Sequence, residues 1–341
     1  MSTPAKILVV RTDKLGDFML SYPAFAMLKD SLPAIELHAL VQAYTRPMAE
    51  LCSSIDKVMV DPEPDGGITN VMRLARELRK EHYDAVITLF STTRIGLAVA
   101  LAGIPYRLAP ATKIAQLFYN RRLKQRRSQS AKPEFIYNRD LAEFFLKDRK
   151  INIAVYPEAP YLSFDSQEVS GLKTGFLAQH NIEPQKKLVF IHPGSGGSAN
   201  NLSVEQYARL AQSVEDKENW QLVISAGPGE EKPAKLLAEL TKDLSPVIYI
   251  SAAGLTQFAK HLAFADIFIS GSTGPLHIAG ALDRATAAFY TRRRSATSLR
   301  WQTLSADKHR LAFSPAENAE QEDMQSVDVA AAARQISEQL L

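Results

Sequence analysis

The sequence predicts an α/β protein made of two parallel-sheet domains in tandem. Short apolar runs of strand length alternate with amphipathic helical stretches through most of the chain. The alternation pauses over a polar, proline-bearing stretch from Tyr156 to Pro184 and begins again near Leu188. At 341 residues, the chain also exceeds what one hydrophobic core usually serves.

In the first series Ile7–Val10, Ile35–Val41, Lys57–Val60 and Ala85–Leu89 read as strands. Met72–Lys80 reads as a helix, with Leu74 and Leu78 on one face and charges on the other. The second series supplies Leu188–Ile191, Leu222–Ser225, Val247–Ile250, Ile267–Ile269 and Ala285–Phe289 as strands. Ser203 and Gln206 have capping-box spacing, and Val204, Tyr207, Ala208, Ala211 and Val214 then mark a helical apolar face. The domains expected are 1–165 and 185–315, followed by a C-terminal helical segment, 316–341. No repeat shows at the level of residues, so the duplication is one of architecture.

Composition narrows the class. Hydrophobic residues at 46% and charged residues at 23% are ordinary for a globular protein. The single Cys52 cannot form an internal disulfide, which fits a reducing cytoplasm. The apolar run after Lys6 is too short for a signal peptide, and nowhere do about 18 apolar residues run together, so any membrane contact is expected to be peripheral. A net charge of +3 is too small to argue for nucleic acid, and no such partner is expected.

Ligands of open α/β sheets bind outside the carboxyl ends of the strands, so chemistry is sought in the loops that follow them. The first strand runs into Arg11-Thr12-Asp13-Lys14-Leu15-Gly16-Asp17. Gly16 permits a tight turn, and a helix starting there offers free N–H groups to an anion. Asp17 is either a functional carboxylate or a complement to the helix dipole. The first strand of the second series ends in His192-Pro193-Gly194-Ser195-Gly196-Gly197-Ser198-Ala199-Asn200-Asn201. Such a loop is a candidate phosphate cradle or simply flexible; without a P-loop lysine it is no Walker-type hydrolase. The third loop, Ser270-Gly271-Ser272-Thr273-Gly274-Pro275-Leu276-His277, again lets a backbone approach phosphate closely. His277 would lie about one turn into the next helix, beside the same ligand or in a structural role. D-x-D, H-E-x-x-H, C-x-x-C and G-x-S-x-G are all absent, so neither a metal nor a hydrolase elbow is expected.

Taken in order, Lys6–Arg11 with Asp13–Asp17, His192–Gly196 and Ser270–His277 resemble the ADP-heptose lipopolysaccharide heptosyltransferase family, glycosyltransferase family 9, over nearly the whole chain. The resemblance implies a GT-B fold, two Rossmann-like domains with parallel sheets facing across a cleft. The first would bind the acceptor, the second the nucleotide sugar, and the C-terminal segment would pack back across both. It further implies inverting, metal-independent transfer of a heptose from an ADP-sugar to the lipopolysaccharide inner core, without a cofactor. The acceptor would be lipid A-core or another glycolipid, met in the cytoplasm at the inner face of the inner membrane.

Residue by residue, the aspartate of the family's G-D motif, a general base, falls on Asp17. Gly194, Ser195, Gly196, Gly197, Asn200, Ser272, Thr273, Gly274 and His277 fall on the donor side, and Lys14 on the acceptor side. Two positions depart from the pattern: Asn200 stands where a basic residue is often found, and Ser272 where well-studied members carry an acid. A related transferase using another nucleotide sugar therefore stays open, as does a non-catalytic relative that binds acceptor or partner in surface polysaccharide assembly. A nicotinamide-dependent oxidoreductase would need the glycine fingerprint that the first loop lacks.

Arg121, Arg122, Lys124, Arg126, Arg127 and Lys132 cluster in the first half, just after Phe118 and Tyr119. They read either as a solvated basic loop or as a landing strip for anionic headgroups or a phosphorylated acceptor, worth about 1 kcal/mol per basic residue. On the second reading Arg121, Arg122, Arg126 and Arg127 bind the acceptor.

Overall fold

The computed structural model describes residues 4–62, 67–112, 114–197 and 200–341. The chain divides into two compact units: residues up to Arg127 with Lys132–Glu158, and Ser128–Ala131 with Ala159–Leu341.

The first unit runs β1 (Lys6–Val10), α1 (Leu15–Met19), α2 (Tyr22–Ser31), β2 (Glu36–Val41), α3 (Arg46–Leu51), β3 (Lys57–Val60), α4 (Ile68–Lys80), β4 (Ala85–Thr88), α5 (Thr93–Leu101), β5 (Tyr106–Pro110), β6 (Arg121–Leu123) and α6 (Glu134–Asp148). Its six strands are all parallel, in the order β3-β2-β1-β4-β5-β6. Ile7 to Val10 are fully buried because helices cover both faces of the sheet, as a parallel sheet requires. On α4, Val71, Leu74, Ala75 and Leu78 are buried and pack with Leu8, Val10 and Leu40, the stripe a helical period produces.

The second unit continues α7 (Ser166–Gln179), β7 (Lys187–His192), α8 (Val204–Ser213), β8 (Trp220–Ala226), α9 (Glu231–Leu240), β9 (Val247–Ile250), α10 (Gly254–Leu262), β10 (Ile267–Gly271), α11 (Gly274–Ala281), β11 (Ala285–Phe289), β12 (Arg310–Phe313) and α12 (Val329–Gln339). Its sheet, β12-β11-β10-β7-β8-β9, is again parallel and repeats the winding of the first. The capping box is present at α8: Ser203 accepts from the Gln206 N–H while the Gln206 side chain reaches back. On α12, Ala332, Ala333 and Ile336 are buried in one core with Tyr207, Leu210 and Ala211.

Three strands escape the sequence pattern. β6 and β12 are short, basic edge strands, and β5 ends in a proline, so none shows the long apolar run of a central strand. The stretch Tyr156–Pro184, read as inter-domain, contains a full helix. Asp165 caps α7 by accepting from the N–H groups of Gln167 and Glu168. Its Phe176 is buried against Phe190, Tyr249, His261 and Phe264. An apolar stripe this narrow, within a polar segment, leaves little periodic signal.

Candidate functional site

Each sheet has one switch point, where the chain reverses its direction of winding. In the first unit it lies between β1 and β4, in the second between β7 and β10. Open parallel sheets bind ligands beside such a point, outside the strand carboxyl ends. All three loops singled out from the sequence leave strands that flank a switch point: β1, β7 and β10.

After β1, the buried Arg11 organises the site. Its Nε donates to Asp13 Oδ1 at 2.7 Å, Nη2 to Asp17 Oδ1 at 2.7 Å, and Nη1 to Glu134 Oε1 and Asn138 Oδ1, each at 3.0 Å. Burial works against its charge, but Asp13, Glu134 and Asp17 outweigh burial and raise its pKa. Asp17, the third residue of α1, has only 17% of its side chain exposed. Burial pushes its carboxyl up to about 7 against the pull of Arg11, and Asp13 and Glu134 push the same way. Asp13 is raised as well, again chiefly by burial. Burial and the neighbouring carboxylates thus hold Asp17 well above the ordinary aspartate range. Lys14 is exposed at the N-cap of α1 and makes no capping bond there.

The basic stretch is partly an edge strand and partly committed to ion pairs, not a uniform loop. Arg121 pairs with Asp148 at 3.1 Å and lies over the Tyr106 ring. Arg127 donates to Glu134 at 2.7 Å, and Lys132 pairs with Asp140 at 3.0 Å. Arg122, Lys124 and Arg126 are exposed.

After β7, the glycine loop holds a carboxylate of this chain. Glu230, just before α9, accepts from the N–H of Gly196 and of Gly227 at 3.0 Å each, and its Oε2 lies 3.2 Å from His192 Nε2. The hydrogen bond with His192 is the largest reason its carboxyl is held at about 2, and the two backbone N–H groups add to it. His192 is fixed on its other side by Ser225 Oγ at 3.1 Å. Gly196 and Gly197 have φ of 51° and 71°, the left-handed region that glycine enters freely, so the loop can turn its N–H groups inward. Gly194 is buried and Ser195 half-buried, while Asn200 is exposed and reaches Glu322 at 3.4 Å. Ser198 and Ala199 of this loop lie outside the described residues. The next residue, Asn201, anchors the loop by donating to the Pro193 carbonyl at 3.1 Å and accepting from Tyr207.

After β10, Thr273 is buried, its hydroxyl 2.9 Å from Ser270 Oγ, while Ser272 and Gly274 stay partly open at the start of α11. His277 is buried on the same helix. Its Nδ1 has no hydrogen-bond partner among the described residues, and burial lowers its pKa to about 4, so the ring is neutral at physiological pH.

Sequence reasoning missed Glu230, His192 as its partner, Glu134 and Asn138. A Glu that follows a Gly-Pro-Gly turn by one residue carries no motif signal. The i, i+4 spacing of Glu134 and Asn138 was visible, but not that Arg11 lies opposite them.

Two doubly wound parallel-sheet units in tandem, each with polar loops at its switch point, define the GT-B class of glycosyltransferase folds. Residues 71–328 match glycosyltransferase family 9 (heptosyltransferase), and the chain belongs to this family. It is 43% identical to a Haemophilus influenzae protein over 97% of this chain and 96% of that one, whose name places it among glycosyltransferases without giving a sugar or acceptor. It is 24% identical to lipopolysaccharide heptosyltransferase 2 of Escherichia coli K12, over 84% of this chain and 82% of that protein. The solved structure of E. coli ADP-heptose lipopolysaccharide heptosyltransferase II superposes with a TM-score of 0.76 at 18% identity, covering 98% of both chains.

Proposed function

We propose that this glycosyltransferase moves a heptose from ADP-heptose to a hydroxyl of the lipopolysaccharide inner core, with inversion and without a metal, and that Asp17 is its general base. The observation that carries this reading is the place of Asp17, just beyond β1 at the switch point with one oxygen gripped by Arg11 at 2.7 Å; burial there pushes its carboxyl up to about 7. A base poised near the working pH gives the best compromise between being deprotonated and being basic. As the acceptor oxygen bonds to the anomeric carbon, its proton passes to Asp17, and the bond from that carbon to the diphosphate breaks, releasing ADP. The donor names of the related heptosyltransferases support ADP-heptose as the sugar donor.

On the donor side, the open Ser272 and Gly274 at the N-terminus of α11 suit a diphosphate. The Gly194–Gly197 loop contributes differently from the phosphate cradle expected, because Glu230 already takes the Gly196 N–H. A carboxylate repels phosphate and accepts from hydroxyls, so Glu230 is assigned to hydroxyls of the donor. Among the basic residues, the exposed Arg122 and Arg126 are the ones suited to an anionic glycolipid and a peripheral place at the inner face of the inner membrane. No helix among the described residues is long and apolar enough to cross a membrane.

Asp17→Asn keeps the shape and removes the base. It is expected to lower turnover with ADP-heptose and a heptose-deficient lipopolysaccharide by about 10²–10⁴-fold while ADP affinity, measured by calorimetry in EDTA, stays close to wild type. Near-normal turnover would refute the base. Ser272 and the bond from Asn200 to Glu322 favour one second reading, a donor other than ADP-heptose. Tighter binding of UDP or GDP than of ADP would select it.

A further inference from the structure

The groups around Asp17 come from two stretches far apart in sequence, and one buried cation joins them. Arg11 is 2% exposed and spends Nε, Nη1 and Nη2 on four side chains, with its Cζ 5.9 Å from the Phe90 ring centroid. Two of those four, Glu134 and Asn138, stand one turn apart on the same face of α6. Asn138 also donates to the Leu20 carbonyl at 3.0 Å, which ties α6 to the end of the helix that carries Asp17. Arg127 grips the same Glu134 oxygen from the other side at 2.7 Å.

We propose that Arg11 is a positioning residue for Asp17: locked from α6 by Glu134 and Asn138, its guanidinium grips Oδ1 and leaves Oδ2 to the acceptor hydroxyl, while the Glu134 charge tunes the proton affinity of Asp17. This rests on Asp17 being the base. Among the described residues no hydrogen bond to Asp17 Oδ2 is formed within the protein, whereas Oδ1 is held at 2.7 Å. A planar fork fixed at three nitrogens has little freedom left, so the carboxylate it holds is oriented before substrate arrives.

The charge balance follows from the same contacts. Facing Asp17 are Arg11 and Asp13 from its own segment, Glu134 from α6 with Arg127 behind it, and Tyr44, whose hydroxyl donates to the Asp13 carbonyl at 3.2 Å. Lys14, next to them in sequence, is exposed. Asp13, Asp17 and Glu134 against Arg11 and Arg127 is three negative groups to two positive, one negative charge in excess. In a site this dry, like charges that cannot all ionise retain a proton. Neutralising Glu134 balances the cluster and lets Asp17 release its proton at lower pH.

The test follows the aspartate carboxyl carbons of the full chain by 13C NMR, with Asp17→Asn to assign the signal. The wild-type midpoint is expected near 7. In Glu134→Gln, which keeps the side-chain shape, it should fall by about one unit or more, a tenfold loss of proton affinity. The acid limb of the turnover–pH profile should move down with it. Arg11→Lys cannot span four partners and should lower turnover at least about tenfold without changing ADP affinity; if it fails to fold, Glu134→Gln still decides. An unmoved midpoint in Glu134→Gln, with Asp17→Asn inactive, overturns this proposal alone. A fully active Asp17→Asn overturns the base assignment and this role with it.

Discussion

Replacing Gly194 by alanine tests whether the glycine loop is built around the Glu230 carboxylate. A Cβ at Gly194 would stand 2.3 Å from Glu230 Cδ and 2.4 and 2.6 Å from its two oxygens. Ordinary contact needs about 3.5 Å, so the carboxylate must withdraw by roughly 1 Å. That takes its partners, now at 3.0, 3.0 and 3.2 Å, beyond hydrogen-bonding reach. Hydrogen bonds to a charged group net about 1.5–3 kcal/mol each, but a displaced Glu230 can swing into water and recover part of this. The expected cost is about 2–3 kcal/mol. Gly194 does not occupy the left-handed region, so alanine adds no backbone strain of its own. In a Glu230→Ala background the new methyl has room, and the same change should cost under about 0.5 kcal/mol, a coupling of about 2 kcal/mol in the double-mutant cycle. Both tryptophans, Trp220 and Trp301, lie in the second unit, so urea unfolding followed by tryptophan fluorescence reports on the unit that holds the loop. An equal cost in both backgrounds would refute the argument.

Acid should weaken the second unit in two stages. His277 is held neutral with a pKa of about 4 instead of 6.5, so as pH falls from 6.5 toward 4 the unfolded chain binds a proton that the fold refuses, a loss of about 3 kcal/mol. Glu230, held at about 2 instead of 4.5, contributes stability that is complete above 4.5 and lost as pH falls toward 2. Urea midpoints of His277→Gln and Glu230→Gln should be flatter in these respective windows, and a wild-type-like slope in either variant would remove its assignment. In the basic stretch, Arg122→Gln with Arg126→Gln should change stability by less than about 0.5 kcal/mol yet weaken binding to anionic vesicles about fivefold per residue. Arg127→Gln, which strips a partner from the buried Glu134, should instead cost more than about 2 kcal/mol in thermal or urea unfolding. Unchanged vesicle binding in the double variant would leave these arginines without a membrane role.

The central strands were legible because burial on both faces forces continuous apolar runs: Ile7–Val10, Leu188–Ile191 and Ile267–Ile269 need no context to be seen. Edge strands are different. Arg121–Leu123 pairs on one side only and can be basic, so its sequence reads as a loop. Ser166–Gln179 hid for a related reason, since a polar helix with few buried side chains leaves no stripe to count.

For the site, sequence alone determined which loops to examine, because glycines, small hydroxyl residues and a lone carboxylate directly after buried strands are local facts. What those residues do to one another was settled only by tertiary structure. Arg11 is an ordinary cation at the end of a strand until α6, more than a hundred residues later, brings Glu134 and Asn138 against it. The Asp17 carboxyl is raised only when that packing buries it and adds like charge, and nothing along the chain shows that Glu230 takes the Gly196 N–H. Burial and the attraction or repulsion of charges depend on distance in space, and spacing along the chain carries no record of them.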